Sequence, residues 1–217
     1  MEELARPAKS AAKGLNSKRE RTKEALINAA IALISEKGVA DTTVLDITQS
    51  LQISNGTFYY HFQKIDQLLE EVGHRIVIRL VQQIGRVKRV DPAAQVARGP
   101  MVILRFCARN PQLRAIMLHV MDDPDKRHEE LEDNLHADIQ RGQRVARFAV
   151  EDIGLAVKLC RSINISALRY GDSLELTQEG LALQTAAHTL SMLGVPMWEA
   201  HEIAVRELYA LDGEAEN

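Results

Sequence analysis

The chain has 217 residues, is 46% hydrophobic and 26% charged, and carries a formal net charge of −3. That length suits one large domain or two modest ones, and that charge excludes a uniformly basic nucleic-acid coat. Two cysteines, Cys107 and Cys160, stand far apart without a CxxC spacing. They exclude a disulfide framework and a cysteine-rich zinc site, and they suit the reducing cytoplasm.

Residues 1–16 are rich in Ala, Lys and Ser and have no apolar period. They read as a flexible arm with no apolar run to serve as a signal peptide. Residues 1–64 hold nine basic and seven acidic side chains, a net of +2, which leaves −5 for the remainder. Most of the early positive charge lies before residue 24. A basic leading arm on an acidic body marks a polyanion-binding end.

From Ser17 the pattern is helical, with Leu26, Ala29, Ala30, Leu33 and Ile34 on one face and Gly38 as its stop. Thr43-Val-Leu-Asp46 resembles a capping box, so a second helix starts near Val44 with Val44, Ile47 and Leu51 inward. After a break at Gln52-Ile53, Ser54 caps a third helix over about 54–60. Residues 66–85 make a fourth, with Leu69, Val72, Ile76 and Leu80 aligned. Asp91-Pro92 opens a helix that Asn110-Pro111 closes, with Gly99-Pro100 as a break or kink inside it. Helices follow over 111–121 and 125–142. A non-helical link runs from Gly142 to about Phe148. The last helices span 151–170, 175–193 and 197–211. No segment sustains a β alternation, and no run of about 18 apolar residues suits a membrane span. The fold class is all-α, with no membrane partner.

The stretch ISNGTFYYHF, 53–62, places Phe58, Tyr59, Tyr60, His61 and Phe62 together in a chain that is only 4% aromatic. Two short helices joined by a tight turn make a helix-turn-helix, whose second helix lies in the DNA major groove. Phe58 and Phe62, four apart, face inward. Tyr59, Tyr60 and His61 then project outward, beside the short hydrogen-bonding Ser54, Asn55 and Thr57, and Gly56 lets a duplex approach closely.

The segment TTVLDITQSLQISNGTFYYHFQKIDQLLEEV resembles the DNA-binding region of tetracycline-repressor (TetR) family regulators. The likeness is specific over about 18–72 and continues as a helix layout beyond. It implies a dimeric, all-helical transcription factor. Its N-terminal three-helix helix-turn-helix domain, 17–65, precedes a ligand-binding and dimerising body, 66–217. It also implies that Thr43, Ser54, Asn55, Thr57, Tyr59, Tyr60 and His61 touch operator DNA. The chain departs from the family at Thr48 (often Ala), Gln52 (often Gly) and Ile65 (often a phosphate-touching Lys). At the last site Lys64, one place early, is expected to make the contact; the alternative is that the contact is absent and Tyr60, His61 and the helix's N-terminal amides carry the phosphate.

In the body, helices 151–170 and 175–193 are apolar on wide faces and are expected to pair across a homodimer as a four-helix bundle. Met101, Phe106, Met117, Leu118, Met121 and Phe148 are expected to line an effector pocket, since Met adapts to apolar ligands. Arg105, His119, Arg169 and Tyr170 are its polar candidates. No catalytic motif occurs, so neither an enzyme nor a cofactor is expected. His128, Glu132 and His136 share a helix face, but their charged neighbours mark solvated surface rather than a metal site. The resulting expectation is a ligand-responsive regulator, a repressor released by a small, largely apolar effector. The alternative is a TetR-like DNA-binding protein controlled by a protein partner.

Overall fold

The computed structural model of the chain describes residues 8–122 and 129–215. Ten α-helices and no strand occur among the described residues. The chain divides into two compact units, Met1–Val72 and Gly73–Asn217.

The first unit contains α1 (Ala8–Lys37), α2 (Val44–Ser50), α3 (Asn55–His61) and the start of α4 (Ile65–Gly85). Helix α1 begins at Ala8, inside the stretch read as an arm. The reason is composition: Ala and Lys form helix readily without an apolar face. Gly38 ends α1 at φ +88°, and its N–H donates to Ile34 O at 2.9 Å. Thr43 and Asp46 form the capping box that starts α2. Leu26, Ile27, Ala30, Ile34, Ile47, Phe58, Phe62, Leu68 and Val72 are buried. Leu68, rather than Leu69, takes the inward place on α4, because it continues the four-residue series with Val72, Ile76 and Leu80. The inward turn of Leu68 and Val72 also carries the unit boundary past residue 65.

The second unit holds α5 (Pro92–Arg109), α6 (Pro111–Asp122), α7 (Glu129–Arg144), α8 (Ile153–Tyr170), α9 (Gln178–Met192) and α10 (Met197–Ala215). The expected start of α7 at 125 lies outside the described residues. Helix α5 packs on α9, and α10 packs on both. Gly99-Pro100 does not break α5, which runs through Pro100. Arg98 is fully buried and forks onto α10: Nη2 donates to Glu214 Oε2 at 2.8 Å and Nη1 to Glu207 Oε2 at 3.3 Å. Arg89 joins the same carboxylates, each at 2.8 Å. This network positions α5 against α10, the frame of the second unit.

Two changes test these arrangements. Gln52 sits at φ +54°, a left-handed conformation that an L side chain adopts at a cost. Gln52→Gly is expected to raise unfolding stability by about 1 kcal/mol in denaturant titration. Glu207→Ala leaves the buried Arg98 short of a counter-charge, and is expected to cost about 3 kcal/mol. The Arg98 hydrogen bond, before burial opposes it, also holds the Glu214 carboxyl below its ordinary value. A depressed carboxyl stabilises the fold above its unfolded pKa, and that contribution fades as pH falls through the ordinary glutamate range. Glu214→Gln is therefore expected to lose part of the wild-type acid sensitivity, read as unfolding stability against pH.

Candidate nucleic-acid interface and ligand cavity

Helix α3 has only seven residues, and every one of its candidate contacts is set by the local fold. Ser54 caps it, accepting from Thr57 N at 3.2 Å, with the two hydroxyls 3.1 Å apart. Thr43 caps α2; its hydroxyl donates to Asp46 Oδ2 at 2.6 Å and accepts from Asp46 N at 3.2 Å. Lys37 pairs with the same carboxylate at 2.8 Å. Both effects hold Asp46 far below the ordinary carboxylate range, the Lys37 hydrogen bond first.

Phe58 and Phe62 are buried with ring centroids 5.8 Å apart, and Phe58 meets Tyr59 edge-on at 5.3 Å. That anchor leaves Tyr59 57% and Tyr60 67% exposed. Tyr60 meets His61 edge-on at 5.2 Å, and the Arg19 guanidinium of α1 lies 5.5 Å from the Tyr60 ring centroid. His61 is half-buried. Desolvation, then Arg19 and Lys23, push it below the ordinary histidine value, so it is neutral at neutral pH. Asn55 and Lys64 are exposed and Thr57 is half-buried. The geometry thus brings Ser54, Asn55, Thr57, Tyr59, Tyr60 and His61 together on one short helix. Thr43 stands at the start of α2. Lys64 lies just before Ile65, the half-buried first residue of α4. Of the α1 cations, Lys23 is tied to Glu71 at 2.7 Å, whereas Lys18, Arg19 and Arg21 are exposed.

A glycine at 56 has no internal cause. A Cβ built there meets nothing closer than Ser54 Oγ, at an ordinary 3.6 Å. The room around residue 56 lies open on the outer face of the helix.

In the second unit a largely apolar cavity of about 80 Å³ lies among α4, α5, α6, α7, α8 and α9. Val96, Ile103, Met121, Leu135, Val157 and Cys160 form much of its wall. Of the residues expected to line a pocket, Met121 does so. Met101 and Met117 are wholly buried but do not border this cavity. Arg105 and Phe106 border a separate recess of about 210 Å³ whose wall is half polar, and Arg105 is ion-paired to Asp212. Phe148 lies against Gly142 at the end of α7, where a side chain at 142 would collide with its ring. Leu118 is half-buried, and His119, Arg169 and Tyr170 are exposed. Helix periodicity showed which residues were apolar but not how six helices surround one space. The polar residues Asn164 and Asp138 on that wall escaped notice because α7 is polar along most of its length, which hides Asp138, and Asn164 sits between two isoleucines of α8. Among the described residues no group of three or more metal-ligating side chains assembles; His128 lies outside them.

Comparison with known proteins agrees with this architecture. Residues 26–72 match the family described as "Bacterial regulatory proteins, tetR family", and residues 91–206 match "Tetracyclin repressor-like, C-terminal domain". The chain belongs to the TetR family of transcriptional regulators. It is 29% identical over 100 residues to the probable acrEF/envCD operon repressor of Escherichia coli K12. That match spans 45% of this chain and 46% of the relative. The structure of RolR in complex with resorcinol superposes with a TM-score of 0.73 at 27% identity, covering 88% of this chain and 96% of RolR. RolR without ligand gives 0.69 at 25% identity, covering 84% and 96%. Transcription regulation through a DNA-binding helix-turn-helix is therefore the family function, and α2–α3 is that motif in this TetR-family chain. No described helix is long and apolar enough to cross a membrane.

Gly56→Ala separates fold from recognition. A helical Gly→Ala change is expected to raise stability by about 0.5–1 kcal/mol. It is also expected to weaken retardation of target DNA by about tenfold, the mark of a lost close contact. A gain in stability with unchanged DNA affinity would show that the duplex does not approach residue 56.

Proposed function

We propose that the protein is a repressor that binds operator DNA as a homodimer and is released by a small, largely apolar effector. The observation that carries this is the face of α3. Tyr59 and Tyr60 stand out in solvent on a capped helix anchored by two buried rings, in the place where the family motif enters the major groove. In this reading Ser54, Asn55, Thr57, Tyr59, Tyr60 and His61 meet bases and phosphates. Thr43 and Lys64 meet phosphates at the flanks, with Lys64 serving where the family often has lysine at the place of Ile65. The exposed Lys18, Arg19 and Arg21 add charge attraction without sequence choice.

The cavity supports a small-molecule effector over a protein partner, because it is walled by the second unit's own helices. RolR, similar over most of both chains, has been solved with resorcinol bound. An effector acts by its differential affinity for DNA-competent and DNA-incompetent forms of the dimer.

The dimer is assigned to the outer face of α8. Leu155 is 60% and Leu159 43% exposed, and the exposed Ser162 and Ser166 continue the stripe at three- and four-residue steps. An apolar stripe with small residues suits a helix pair. Leu190 of α9 is wholly buried in its own unit, so it supports the fold; beyond the first turn of α9, Gln184 and His188 are exposed and left for a partner.

Sedimentation and gel retardation test the reading together. Wild type is expected to sediment as a dimer at micromolar concentration and to retard the DNA upstream of its own coding sequence. Leu155→Arg with Leu159→Arg, both exposed and so compatible with folding, is expected to give monomers that retard that DNA at least tenfold more weakly. A monomeric wild type, or a double mutant that binds as wild type does, overturns the dimer.

A further inference from the structure

We propose that the cavity of the second unit selects a single uncharged ring bearing a hydroxyl group, whose proton is donated to Asn164 Oδ1. The inference rests on the effector-release reading and specifies the effector's chemistry.

Asn164 is 6% exposed and stands on the cavity wall, on α8. Its Nδ2 donates to Cys160 O at 2.9 Å, which fixes the orientation of the amide. Its Oδ1 is sealed from solvent and has no protein partner. Buried carbonyl oxygens are almost always satisfied, and an orphan on a cavity wall calls for a donor from within the cavity. Pro100, which borders the cavity with Val96, has no N–H to give the Val96 carbonyl its helical donor.

Three of the donor side chains on the wall are already engaged. Gln95 Nε2 donates to Ile84 O at 3.3 Å, and Thr189 Oγ1 donates to Thr185 O at 2.8 Å. Arg161 donates to Met121 O and, at 3.1 Å, to Glu132 Oε1. The wall therefore offers acceptors, and the ligand supplies the donor.

Charge narrows the class further. The two carboxylates on the wall are Glu132 and Asp138. Glu132 is matched by Lys158 at 2.7 Å and by Arg161. Asp138 contacts Arg141 at 3.3 Å, and burial pushes its carboxyl up. An anionic ligand would meet these oxygens in an apolar space, and a cationic one would lose its hydration to walls that are mostly hydrocarbon. Size sets the last limit. At about 30 Å³ of liquid volume for each water, 80 Å³ accommodates about two or three waters, so the cavity admits nothing larger than one small ring.

The test uses the full-length protein with phenol, toluene and benzoate at matched millimolar concentrations, read by thermal shift and calorimetry. Phenol is expected to bind about fivefold more tightly than toluene, the ratio that one net hydrogen bond gives. Benzoate is expected to give no shift. Asn164→Leu has nearly the same volume and removes the acceptor; it is expected to bring phenol down to the level of toluene. Equal binding of phenol and toluene by wild type overturns the proposal, and so does a phenol preference that survives Asn164→Leu. Binding of benzoate as tight as that of phenol, or no binding of any of the three, overturns it as well. Retardation of upstream DNA is measured in the same samples. If wild type retards that DNA but does not distinguish phenol from toluene, the hydroxyl inference fails and the regulator reading stands. If it distinguishes them but retards no DNA, the reverse holds.

Discussion

A seven-residue helix has no stability of its own in water, because nucleation costs more than so few hydrogen bonds return. Helix α3 exists because Phe58 and Phe62 are locked into the first unit, four residues apart on one face. Everything that the helix presents follows from that anchor. With two rings held inward, the 100° step of the helix sends Tyr59 and Tyr60 outward. The Ser54 cap accepts from the amide of Thr57, the third residue of α3, and the exposed N-terminal turn then carries small polar groups. The aromatic cluster is thus one construction with two faces: its inner pair supports the fold, and its outer pair gives the helix its surface chemistry.

The second unit relies on a different constraint. Its frame includes a wholly buried guanidinium, which is tolerable only while carboxylates surround it. Glu207 and Glu214 lie seven residues apart on α10, on one face, and Arg98 and Arg89 meet both. An ionic fork of this kind fixes register as well as charge, since sliding α5 along α10 by one turn would strand Arg98. The frame leaves a mostly hydrocarbon space between α5 and α8. There the polar exceptions matter more than the apolar majority, because an unmatched oxygen in hydrocarbon is costly while an extra methyl is not.

Much of this was legible in the sequence. Caps and breakers placed several helices well: Thr43, Ser54 and Asp91 all cap where a helix begins, whereas the helix read from 175 starts at Gln178, behind Thr177. What a single strand of text shows poorly is the third dimension. Leu68 and Leu69 are both leucine, and only the packing of α4 decides which faces in. Met101, Met117 and Met121 are chemically alike, yet only Met121 borders the cavity, because that depends on where α6, α7 and α8 leave room. Leu190 and Leu155 are both apolar residues of helices expected at the dimer interface; one is core and the other is solvent-facing. Gly99-Pro100 reads as a break or a kink, and it is not a break: a helix buried along most of its length tolerates the lost bond, and α5 continues.

The turn between α2 and α3 shows how the fold absorbs departures from its family. Gln52 takes the left-handed conformation that the family usually gives to glycine. The turn holds because Gln52 N donates to Gln49 O and Ile53 N to Thr48 O, each at 3.0 Å, and because Ile47 and Phe58 are buried on either side. Backbone bonds and packing therefore set the turn, and one strained side chain does not undo it. The second departure works differently. Thr48, often alanine in the family, is buried, and its hydroxyl lies 2.7 Å from Asn55 Oδ1. An alanine would leave that amide to rotate in solvent. Here the hydroxyl holds it at the first residue of α3, so the side chain is already oriented on the exposed face, and less of its freedom would remain to be lost on any contact there.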